Sequence, residues 1–126
     1  MVVIHGKSKR KATGARYTDS RTKRLHQRGS RPAHTHIGEM HQKTTPTKGG
    51  GHKTKLFSAN KVNVFNPKTK KHEVAEIKTA AENHADRHFV RHNIITKGAV
   101  VSTSVGKVKI TSRPGQEGAV NGVLVE

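Results

Sequence analysis

The sequence predicts a mainly β protein: a small antiparallel β-barrel behind a long basic, largely irregular N-terminal extension. Three observations carry this expectation. Val, Ile, Leu and Phe number 5 in residues 1–55 and 20 in residues 56–126, so only the C-terminal part can bury a core. The charge divides the other way. Residues 1–55 hold 14 of the 25 Lys and Arg but only Asp19 and Glu39 of the 8 acids. From Arg91 to Asn121, β-branched runs are punctuated by Gly98, Gly106, Gly115 and Gly118, a pattern of short strands joined by tight turns. The division assigns residues 1–54 to a basic extension and 55–126 to the barrel.

The extension begins with Met1-Val2-Val3-Ile4-His5-Gly6, too short an apolar stretch for a signal peptide. Gly6 to Gly14 is a basic run between glycines, and Arg16 to Arg31 continues it. A helix over Ser20 to Arg28 is conceivable, with Ser20 as N-cap, but its apolar stripe ends at Leu25, so RNA would have to hold it. From Ser30 to Gly51 the Pro, Gly, Thr and His content reads as extended chain and turns, closing in a flexible triple glycine. Residues 1 to about 50 are expected to be disordered in the free protein and ordered on RNA.

The barrel begins with Leu56 and Phe57. Lys61 to Phe65 and His72 to Ile77 flank an Asn66-Pro67-Lys68-Thr69 turn and read as a hairpin, with Val62, Val64 and Val74 expected to face inward. Residues 78–90 read as a longer connection with one helical turn at Thr79 to Glu82. Asn93 to Thr96, Val100 to Thr103 and Lys107 to Thr111 are expected to form an antiparallel meander, which Ala119 to Val125 closes.

A net charge of +17 needs an anionic partner, and no apolar run approaches the roughly 20 residues that span a bilayer. Nucleic acid is therefore the expected partner, not membrane, in a cytoplasmic setting. With no Cys there is no disulfide framework or thiolate chemistry, and with three Phe, one Tyr and no Trp there is little to stack successive bases. Phosphate contact fits better. Three fragments imitate a nucleotide-binding glycine loop, at Gly6-Lys7-Ser8, Gly50-Gly51-His52-Lys53-Thr54 and Gly106-Lys107-Val108. None has the first glycine, the Gly-Lys pair and the Ser/Thr at the required spacing.

His34, His36, Glu39 and His41 could suggest a metal site, but they sit in a Pro/Gly-rich segment with nothing to converge them, so phosphate or base contact is the better reading. The remaining acids are scattered, and no catalytic set stands out. No cofactor and no small-molecule substrate are expected.

The cations are the candidate site. Lys7, Lys9, Arg10 and Lys11, then Arg16, Arg21, Lys23, Arg24, Arg28 and Arg31, crowd an arm almost without acids, an arrangement that makes sense against phosphate. Gly14 lets the backbone come close. Lys43, Lys48 and Lys53 fall where no acid occurs between Met40 and His72. His36 joins them as an imidazole facing phosphate, and Arg91, Lys97 and Arg113 are candidates from the C-terminal half.

Four segments carry a family resemblance: Gly6 to Gly14, Thr35 to Glu39, Val90 to Ala99, and Thr111 to Asn121. Through them the chain resembles the archaeal and eukaryotic "S-eight-e" family of small-subunit ribosomal proteins over nearly its whole length. Its short connection from Glu39 to Gly49 looks like the compact archaeal form. It departs from the family pattern at Ala15, where glycine usually stands, and at His36 and His92, where arginine is common. The resemblance implies a non-catalytic protein in the cytoplasmic ribosome, whose extension and barrel bind small-subunit ribosomal RNA beside neighbouring small-subunit proteins. An assembly factor sharing the domain, a nucleic-acid-compacting protein and a metal-dependent hydrolase are the competing readings.

Overall fold

The computed structural model describes residues 9–18, 21, 24, 26, 29–47 and 49–125. The chain separates into two compact units, residues 1–32 and 33–126. Among the described residues, the larger unit runs β1 (Thr35–Ile37), β2 (His41–Pro46), β3 (His52–Ala59), β4 (Lys61–Asn66), β5 (Lys71–Glu82), α1 (Arg87–Arg91), β6 (Ile94–Ile95), β7 (Val100–Thr103), β8 (Lys107–Ile110) and β9 (Asn121–Val125). No helix among them is long and apolar enough to cross a membrane.

The barrel is closed and has five strands, in the order β4-β5-β7-β8-β9, as the mainly β reading expects. Alternation drives it: Val62 and Val64, Ala75 and Ile77, Val101, and Val108 and Ile110 point inward, and all are buried. The seam is a parallel pairing of β4 with β9, where Asn63 Nδ2 donates to Asn121 Oδ1 at 2.9 Å. So small an interior leaves little room. A Cβ at Gly122 would clash with Val108 Cγ1 and lie 2.9 Å from the Lys109 carbonyl oxygen, so glycine is what lets β9 approach β8.

Three barrel expectations need correction. Val74 does not face inward and is 67% exposed. It pairs with Asn63 across the hairpin while Ala75 pairs with Val62, and cross-strand partners share a face, so the inward residues are Ala75 and Ile77. The Asn66 turn does form, with Asn66 Oδ1 accepting from Lys68 N at 3.0 Å. Thr79 to Glu82 is not a helical turn but the end of β5, whose pairing with β7 shifts register between Ile77 and Thr79 and between Ala80 and Glu82. Those irregularities erase the period-two signal. The helix lies further on, at Arg87–Arg91, with the Asp86 carboxylate accepting from His88 N at 2.8 Å. Finally, β6 leaves the meander and pairs with β1.

That pairing belongs to a second sheet, ordered β2-β3-β1-β6, with β1 and β3 parallel. Within the segment that reads as extended chain and turns, Thr35–Ile37 and His41–Pro46 are two of its strands. β2 reads His-Gln-Lys-Thr-Thr-Pro, with no apolar alternation to announce it. Its order comes from its partner: it pairs with β3 from Gln42 opposite Leu56 to Pro46 opposite His52. The triple glycine is the turn of this hairpin, not a flexible lead-in. Gly49 and Gly50 take φ of +83° and +80°, and Thr47 N donates to the Gly51 carbonyl at 2.7 Å.

Asparagines hold the run between β5 and β6. Asn93, at φ +50°, accepts from Ala80 N, and Asn83 donates to the Ile94 carbonyl while accepting from Thr96 Oγ1. The buried Thr35, Thr103 and Ser112 hydroxyls also have partners, in the Leu56 carbonyl, the Gly106 carbonyl and Asn121 N respectively.

In the smaller unit, residues 9–17 form a tight hairpin. Lys11 N donates to the Ala15 carbonyl, Gly14 N to the Lys11 carbonyl and Tyr17 N to the Lys9 carbonyl, with Arg10 bridged to Arg16. The bond from Gly14 N to the Lys11 carbonyl closes a four-residue turn, and Gly14, at φ +85°, takes the left-handed conformation that glycine favours. Ser20, Leu25 and Arg28 of the conceivable helix lie outside the described residues; of its other members, Arg21, Arg24 and His26 are described and none is α-helical.

Candidate nucleic-acid interface

The hairpin of the smaller unit gathers four of the candidate cations. Lys9, Arg10, Lys11 and Arg16 are all exposed within eight residues that contain no acid. Arg10 Nη1 donates to the Gly14 carbonyl at 3.0 Å, so its guanidinium is tied to the turn. Lys11 Nζ sits 5.7 Å from the centroid of the Tyr17 ring, which is itself exposed. Like charges packed this closely repel one another, and a polyanion would relieve that repulsion. Arg21, Arg24 and Arg31 are also exposed, while Lys7, Lys23 and Arg28 lie outside the described residues.

In the larger unit the remaining candidates fall into three places. On the β2–β3 hairpin, Lys43 and Lys53 are exposed; Lys48 lies outside the described residues. At the corner of β1, α1 and β6, His36 is exposed on β1 and its Nδ1 lies 3.2 Å from the His92 carbonyl. A carbonyl can only accept, so this bond puts the proton on Nδ1 and turns Nε2 outward. Arg91 ends α1, and Lys97 occupies the turn closed by the Ala99 N–H on the Thr96 carbonyl at 3.1 Å.

Arg113, exposed, opens a turn in which its carbonyl accepts from Gln116 N and Glu117 N, both at 2.9 Å. Its own N–H donates to Glu117 Oε2 at 3.4 Å. Lys97 and Arg113 thus both stand at tight turns.

The histidines are dispersed. His34 meets the edge of Phe89 at 5.5 Å between ring centroids, His36 takes the His92 carbonyl, and His41 tilts onto Phe57 at 5.4 Å. Among the described residues no three His, Asp or Glu side chains come together as a metal would require.

Sequence reasoning missed Lys55, which stands directly opposite Lys43. The sequence places it at the start of the barrel, and only the register of a strand without apolar alternation pairs the two. Asn83 and Asn93 were missed as well; an Asn at a positive-φ position is the signal that could have marked Asn93.

The architecture defines a small β-barrel protein whose second sheet and N-terminal unit carry a lopsided cation load. The family described as ribosomal protein S8e matches residues 4–125. Proteins named small ribosomal subunit protein eS8 are similar along their whole length. That of Methanosphaera stadtmanae is 48% identical over 126 residues, covering all of both chains. That of Methanococcoides burtonii is 46% identical over 123 residues, 98% of each chain, and that of Methanobrevibacter smithii 45% over 125 residues, 99% of this chain and all of its own. The chain belongs to the ribosomal protein S8e family, a family of ribosomal proteins and not of enzymes.

Proposed function

We propose that this chain is a structural constituent of the small ribosomal subunit that binds and stabilises small-subunit ribosomal RNA, supporting translation. The observation that carries the reading is that relatives named small ribosomal subunit protein eS8 align with the chain from end to end, cationic N-terminal unit included. Residues 1–54, of which β1, β2 and the start of β3 are folded into the second sheet, supply most of the RNA-binding cations, and the barrel within 55–126 is the stable body, with Arg91, Lys97 and Arg113 adding contacts from it. Neighbouring small-subunit proteins complete its surroundings in the cytoplasmic ribosome, and neither a cofactor nor a small-molecule substrate is required.

The physical support is the mismatch between charge and neutralisation. Each lysine or arginine placed on phosphate releases condensed counterions, so affinity should fall steeply with salt. The protein is expected to co-sediment with the small ribosomal subunit through a high-salt gradient; release into the free-protein fractions at moderate salt would sink the reading. In a second test, Arg10→Gln with Lys11→Gln should weaken rRNA binding and lower the salt slope by about 1.4 to 1.8. An unchanged slope would remove the hairpin from the phosphate contacts.

A further inference from the structure

The β2–β3 hairpin has two unlike faces, because residues paired across antiparallel strands project to the same side. Gln42 with Leu56, Thr44 with Thr54 and Pro46 with His52 form one face. The body meets that face at Leu56 and Thr54, while Gln42, Thr44, Pro46 and His52 remain exposed. Leu56 is buried in the core, and a Cβ added at Gly118 would sit 3.0 Å from Thr54 Cγ2 and 3.6 Å from Gln42 Oε1. The Pro114 carbonyl accepts from Leu56 N, which ties the loop after β8 to the edge of β3.

The other face carries Lys43 directly opposite Lys55, and Thr45 opposite Lys53. Like charges in direct cross-strand register destabilise a sheet. No acid occurs in sequence between Met40 and His72, and among the described residues none of the three lysines has an ion pair. Lys53 Nζ is instead held by a neutral acceptor, Gln116 Oε1, at 3.1 Å. A threonine hydroxyl beside the lysines adds a donor that phosphate oxygens accept.

We propose that this face, formed by Lys43, Lys53 and Lys55 with Thr45, is a preformed binding site for the sugar-phosphate backbone of RNA. Lys53 and Lys55 are two residues apart, about 7 Å along the strand, so they reach separate phosphates, and Lys43 joins Lys55 from the facing strand. Addition of a partner protein's strand to the sheet is disfavoured at the same edge. β2 is the outermost strand and has a register shift at His41, an outward lysine and Pro46, the features that keep strands from adding. The ribbon is folded before RNA arrives, so its lysines bind without the ordering cost that a disordered arm incurs. The inference rests on the rRNA-binding reading and gives it a location within the body of the protein.

The test compares full-length chains bound to small-subunit rRNA over a range of salt. One carries Lys43→Gln, Lys53→Gln and Lys55→Gln. A control loses the same charge from the barrel through Lys61→Gln, Lys107→Gln and Lys109→Gln. The ribbon variant is expected to lose about 100-fold in affinity at 0.1 M salt with a slope lower by about 2 to 3, well beyond the control. Equal losses in the two variants would overturn the proposal, since net charge alone would then explain them. The single variant Lys43→Gln, which relieves the opposed pair and keeps the fold, should lower the slope by about 0.7 to 0.9; no change would count against the site in the same way. Failure of the wild-type chain to prefer small-subunit rRNA over an unrelated RNA strikes the underlying function instead, and it is read before any variant is compared.

Discussion

The barrel and the β2–β3 ribbon are built from the same antiparallel pairing but use their side chains oppositely. In the barrel every second residue is committed to the interior: Val62, Val64, Ala75, Ile77, Val108 and Ile110 are all buried. In β2, between His41 and Pro46, none is buried. The ribbon is held by backbone pairing, by its glycine turn and by contacts of Leu56, Thr54 and Lys53 with the loop after β8, and it carries lysines that no core could accommodate. Stability and charge are thus separated in space, and a strand with no apolar side chain to lose can bear repulsion that a barrel strand could not.

Three substitutions sharpen that contrast, from the largest effect to the smallest. Ile110→Ala should cost about 2–5 kcal/mol in denaturant unfolding, since Ile110 is fully buried in the core shared by both sheets. A loss under 1 kcal/mol would mean the barrel is not the stabilising unit. Gly122→Ala forces a Cβ against Val108 and the Lys109 backbone, and it should lower stability by about 1–3 kcal/mol. An unchanged melting curve would show that β9 is free to move away from β8. Val74→Ser, which the alternation of the hairpin would rank with the core, should change stability by no more than about 0.5 kcal/mol because Val74 is on the outer face. A larger loss would restore the inward register.

Much of the fold is legible in the chain where burial writes a period. Val62 with Val64, the Val100 to Thr103 run and Val108 with Ile110 mark their strands, and Asn66-Pro67 marks its turn. Legibility ends where another force orders the backbone. β2 has no apolar period, so its strand exists only through the register with β3. The register shifts of β5 hide a strand in Ala80-Ala81, and the inward side of the return strand could not be chosen between Val74 and Ala75 without the turn that sets it.

The candidate site divides in the same way. Arg10, Lys11 and Arg16 are visible as a cluster because they are neighbours in sequence. Lys43 and Lys55 are 12 positions apart and become neighbours only when the hairpin closes. His36 was visible as a residue type, but its bond to the His92 carbonyl depends on β1 lying beside β6.

The central claim is that these cations are arranged for folded small-subunit rRNA and are not merely an indiscriminate positive charge. Competition at fixed salt tests it most directly: labelled small-subunit rRNA bound to the full-length chain is challenged with unlabelled rRNA or with duplex DNA at equal phosphate concentration. The account expects rRNA to displace the label at least ten times more effectively. Equal displacement by duplex DNA would contradict it and make the chain a general nucleic-acid-compacting protein.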